Sequence, residues 1–134
     1  MTNKLYDILT WEHVRNLIKQ QFGVNFIKVD DFFREDTEWF PLDDWENANS
    51  LEIISLFNNL KTLEGKLIII TDASYKKELG PFHVDAFDLN EFVIKHKQSF
   101  GETFLDTDIL ILSVDLKKIW MFHHEGVYAL IDFN

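Results

Sequence analysis

The histidines and a dense run of carboxylates are the residues of this chain best suited to chemistry. His123-His124-Glu125-Gly126 sets metal-ligand types side by side, since imidazole and carboxylate both bind zinc. The spacing works against a shared ion. On a strand, adjacent side chains point to opposite faces, and the HExxH pattern that puts two His on one helix face is absent. The expectation is one half-buried, hydrogen-bonded His and one near a sheet rim. His83 and Asp85 stand two residues apart, on the same side of an extended segment, where a carboxylate could orient an imidazole as general base. No nucleophile accompanies them. Ser74 sits in TDASY without the G-x-S-x-G elbow, and five Gly form no phosphate-cradling loop. Asp106 and Asp108 punctuate the start of a strand. A small metal-dependent hydrolase using His83, His123, His124 and nearby carboxylates is therefore one reading, though few parts of an active site are in hand.

The stronger signal is DDFFREDTEWFPLDDWE, residues 30–46. It holds Asp30, Asp31, Glu35, Asp36, Glu38, Asp43, Asp44 and Glu46 against Arg34 alone, a charge of −7 in 17 residues that leaves −3 for the other 117. Phe32, Phe33, Trp39, Phe40 and Trp45 are interleaved. One reading is a solvated loop whose aromatics tuck into the core. The other is a docking surface: carboxylates steer a basic partner, and Trp39 and Trp45 anchor the contact. A calcium loop is disfavoured because the D-x-D-x-D-G spacing is missing. Pro41 argues against a continuous helix, leaving a long loop or a broken strand with a short helical turn.

The elements that must position these residues are led by the closing stretch, 106–132. Ile109 to Val114, Ile119 to His124 and Val127 to Ile131 are rich in Ile, Val, Trp, Phe and Tyr, which fits strands. Asp115-Leu116-Lys117-Lys118 and Glu125-Gly126 supply the turns, giving a three-stranded antiparallel meander. Pairing about Glu125-Gly126 would put Trp120, Phe122, His124, Val127, Ala129 and Ile131 on one face. Ile119, Met121, His123, Tyr128, Leu130 and Asp132 would share the other. The first strand lacks polar alternation, so both its faces should be covered, by helices. Thr10 caps a helix with Trp11, Val14, Leu17, Ile18 and Phe22 at helical spacing and Gly23 as its stop; His13 lies on its outer face. Val24 to Val29 reads as a strand with Val24, Phe26 and Ile27 inward. Ser50 opens a second helix with Leu51, Ile54, Leu56, Phe57 and Leu60 as its stripe, ending near Gly65. Lys66 to Thr71 is a buried strand, Asp72 to Pro81 a loop, and His83 to Phe87 a brief extended piece. A capping box, Asp88 with Glu91, opens a third helix bearing Leu89, Phe92, Val93, His96 and Phe100. The fold class expected is a single-domain α/β (α+β) sandwich: a mixed sheet, the C-terminal meander and about three helices.

At 134 residues, 46% hydrophobic and 15% aromatic, the chain can bury a real core. It has no Cys, which removes disulfides and thiolate metal sites and suits a reducing cytosol. Residues 1–20 read without a signal peptide. The apolar runs fall far short of the ~20 residues needed to span a bilayer. A net charge of −10 argues against direct binding of nucleic acid or an anionic membrane. The expected chain is soluble and cytoplasmic, with no cofactor.

This combination resembles the immunity proteins of bacterial polymorphic-toxin and contact-dependent growth inhibition systems: a small, acidic, Cys-free, aromatic-rich α/β domain with the meander DTDILILSVDLKKIWMFHHEGVYALIDF and the patch DDFFREDTEWFPLDDWE. The likeness is one of general character over the whole chain and transfers no residue position. It implies a non-enzymatic protein that binds the toxic C-terminal domain of a neighbouring effector, often a basic nuclease, and blocks its active site. Carboxylates would then stand in for phosphates. The alternatives are a nucleic-acid mimic inhibiting a host or phage enzyme, the hydrolase above, and a subunit of a larger assembly.

Overall fold

The structure is a computed structural model that describes residues 6–27, 29–32, 37–41, 65–75, 79–100, 108–123 and 126–133. Its centre is a seven-stranded sheet in the order β1-β4-β3-β5-β6-β7-β2. The strands are β1 (Asp7–Ile8), β2 (Phe40–Pro41), β3 (Lys66–Ile70), β4 (Phe82–Asp85), β5 (Ile109–Ser113), β6 (Lys118–His123) and β7 (Val127–Asp132). Two α-helices are described, α1 (Trp11–Phe22) and α2 (Leu89–Phe100). The helix expected from Ser50 to Gly65, with Leu51, Ile54, Leu56, Phe57 and Leu60, falls outside the described residues except at Gly65.

The sheet is antiparallel at every pairing, not mixed. A strand–helix–strand order suggested parallel neighbours. Here the strands joined by α2, β4 and β5, do run the same way, but β3 lies between them and is antiparallel to both. The fold is therefore α+β.

Both faces of the sheet are covered, as the uninterrupted apolar run of β5 required. On one face Leu67, Ile69, Phe82, Val84, Ile109, Ile111, Trp120 and Phe122 pack with Leu89, Phe92 and Val93 of α2. On the other Ile68, Ile70, Leu110, Leu112, Ile119, Met121, Ala129 and Ile131 pack with Val14, Ile18 and Phe22 of α1. The Thr10 hydroxyl accepts the His13 N–H at 3.1 Å, and Gly23, at φ 71°, ends α1 by donating to the Lys19 carbonyl. His13 is exposed. At the start of α1, half-buried Trp11 stacks on Tyr75 at 4.9 Å with the Arg15 guanidinium over its ring, tying the β3–β4 connection to the helix. α2 starts at Leu89, where the Asp88–Glu91 pair puts it, but Asp88 itself belongs to a 3₁₀ turn, Ala86–Asp88, that leads into the helix.

Three further expectations are corrected. Residues 24–27 form no strand. The Ile27 N–H donates to the Asp31 carboxylate at 2.6 Å, a local bond that competes with sheet pairing, and a 3₁₀ turn follows at Val29–Phe32. Phe26 goes inward beside Phe32, whereas Ile27 is 72% exposed. The meander holds, but its second hairpin is one residue out of the expected register. His123 pairs with Val127, so three residues intervene, and Gly126 at φ 87° donates to the His123 carbonyl at 2.9 Å. Glycine in the left-handed region at the end of a three-residue loop is a standard closure. The slip exchanges faces: Tyr128 joins Trp120 and Phe122, with ring centroids 5.8 and 6.1 Å away, while Ala129 and Ile131 join Ile119 and Met121. The first turn also shifts, to Val114–Lys117 with Lys117 at φ 52°, so that Lys118 belongs to β6.

Candidate functional site

The acidic segment meets the sheet at its β7 edge. Phe40 pairs with Tyr128 and Pro41 with Val127. Proline has no N–H to give a ladder, so an edge strand is where it fits. The Phe40 ring lies 5.5 Å from Tyr128, and Phe40 and Pro41 are both exposed. Trp39 turns the other way. It is half-buried, packs against the α1-side core, and meets His123 edge-on at 6.2 Å and 73°. Trp39 thus fastens the segment to the end of β6, and Phe40 presents apolar surface to solvent.

The carboxylates divide by role. Asp31 is half-buried and caps the Ile27 N–H, so part of its accepting capacity serves the local fold. Asp30 contributes backbone to the 3₁₀ turn that sends Phe32 into the core. Glu38 is exposed beside Trp39. Glu35, Asp36, Asp43, Asp44, Trp45 and Glu46 lie outside the described residues. Phe32 and Trp39 tuck inward, Trp39 against the core and not wholly free as a partner anchor, while Glu38 and Phe40 face water. Sequence reasoning did not single out Phe40 and Tyr128. The Pro41 signal for an edge strand was the clue to the first, and the register slip hid the second.

The histidines are dispersed. His83 and Asp85 do share a side of β4, yet Asp85 pairs with Lys66 across the strands at 3.0 Å. His83 lies in a row with Ile68, Leu112 and Ile119. His123 is therefore roughly 14 Å away across the sheet and roughly 13 Å along it at ordinary strand spacings. One ion cannot be reached by both. His124 and Asp106 lie outside the described residues, and no group of three or more His, Cys, Asp or Glu poised for a metal occurs among the described ones.

A buried polar cluster went unnoticed in sequence, where His96 read only as a packing position. Thr71, Ser74 and His96 are all buried at the end of β3. The Ser74 hydroxyl accepts the Thr71 N–H at 3.1 Å, the Thr71 hydroxyl oxygen accepts the Ala73 N–H at 3.1 Å, and the same oxygen is 3.3 Å from His96 Nε2. These bonds shape the 3₁₀ turn Asp72–Tyr75 and fasten it to α2. Thr71→Val keeps the volume and leaves the Ala73 N–H and the imidazole without that oxygen. It is expected to cost about 1–3 kcal/mol, read as a lower urea midpoint with an unchanged m-value; a shift within error would refute the structural role.

No helix among the described residues is long and apolar enough to cross a membrane. No protein-family model, curated protein or solved structure matches this chain.

Proposed function

We propose that this chain is an immunity protein, which binds a cognate toxin C-terminal domain in the cytoplasm and neutralises it without catalysis. The toxin domain is a basic nuclease, and the protein occludes its active or substrate-binding site. One observation carries the reading: −7 of a total charge of −10 is concentrated in residues 30–46, a segment bound to the sheet edge through Phe40 and Pro41. Carboxylates concentrated in one segment offer a nuclease the kind of field that phosphates present. The exposed Phe40 adds desolvated contact area within that field.

A tagged pull-down, washed at low and high salt and read by mass spectrometry, tests it. The expected product is one basic domain recovered in equal amount, whose DNA or RNA cleavage falls to background at one equivalent of the purified protein. Several unrelated nucleic-acid-binding proteins would identify a mimic instead. A catalytic metal retained stoichiometrically by protein purified without a His-tag, with no partner, would replace the proposal with the hydrolase.

A further inference from the structure

We infer that this protein self-associates through the outer face of α2, two copies packing that helix antiparallel about a two-fold axis. The inference is independent of the toxin-binding surface. Leu89, Phe92, Val93 and His96 of α2 are buried against the sheet. Seven residues apart on the opposite side stand Phe87, in the turn leading into the helix and 94% exposed, and Ile94, 41% exposed. Two helical turns separate them, so they share a face. Together the two side chains put apolar surface in water on the outer side of the helix.

The charges name the occupant. A molecule carrying −10 repels its own copy across most of its surface. Among the residues of α2 whose side chains are described, the exposed ones are Asn90, Glu91, Ile94, Lys95, Gln98 and Ser99, with Glu91 and Lys95 the charged pair. Within a chain the two form an i,i+4 ion pair at 2.8 Å. In an antiparallel arrangement with the axis level with Val93, Glu91 of one copy comes level with Lys95 of the other, and both contacts form twice. The two Ile94 side chains flank the axis, and a Phe87 covers each end. The face is complementary to itself, as an isologous contact requires. A single helix face is small, so the association is weak, with a dissociation constant on the order of 10 μM or higher.

Sedimentation equilibrium of the whole chain, from about 1 μM to about 1 mM to bracket that range, tests the inference. The wild type is expected to show a monomer–dimer equilibrium, and Phe87→Ser to weaken it at least about tenfold. Glu91→Lys and Lys95→Glu should each be monomeric alone and dimerise when mixed, because a doubly basic face then meets a doubly acidic one. A wild type monomeric throughout, a dimer indifferent to Phe87→Ser, or no recovery on mixing would overturn it.

Discussion

Protein carrying Asp43→Lys together with Trp45→Ala is expected to unfold at the wild-type temperature and, under the proposed immunity function, to bind the toxin domain about 100-fold more weakly, near 3 kcal/mol. Two effects combine. In the proposed interface, truncating Trp45 removes a type of residue that is often worth 2 kcal/mol or more. Reversing one carboxylate takes the segment from −7 to −5, which slows association and flattens its salt dependence. Titration calorimetry at two ionic strengths, alongside thermal melts, separates the terms. Unchanged affinity would remove residues 30–46 from the binding surface and redirect attention to other faces.

The largest stability effect should come from Phe92→Ala. The ring is 2% exposed and lies edge-on to Tyr6 at 5.6 Å, tilted against Phe82 at 5.4 Å and 5.9 Å from His96. It therefore joins α2 to β4 and to the residue that leads into β1. Removing a buried Phe costs about 3–5 kcal/mol, a large share of the roughly 5–15 kcal/mol that holds a domain folded. Urea unfolding measures the loss, and hydrogen exchange at Asp7 and Ile8 should rise first, because among the described strands β1 pairs only with β4. A companion Phe87→Ala variant, five residues away but solvent-exposed, should stay within about 0.5 kcal/mol of wild type. A loss below about 1 kcal/mol at Phe92 would show that the cluster is not a keystone.

Much of the architecture was legible because its signals are local. Thr10 and Gly23 bracket α1, and Val14, Ile18 and Phe22 keep helical spacing between them. The apolar runs of β3 and β5 required cover on both faces, and α1 and α2 provide it. The charge of residues 30–46 is a property of composition and survives any fold. Non-local features were not legible. β1 and β2 are two residues each, too short to carry a periodic pattern. The Asp31 bond to Ile27 diverts a segment whose composition alone reads as a strand. The same limit hid the polar cluster, because Thr71 and His96 meet across 25 positions of sequence.

By itself, then, the sequence determined the caps of α1, the closing meander, the two-sided burial and the position of the charge. Only the tertiary structure decided that every strand pairing is antiparallel, that Trp39 turns inward while Phe40 faces water, and that Tyr128 lies beside Trp120 and Phe122. The physical reason is that strand side chains repeat every two residues, so a loop longer by one residue exchanges the faces. The apolar pattern of β7 tolerates either register, and the choice falls to Gly126, which closes the three-residue loop, and to the neighbours that β6 and β7 meet across the sheet.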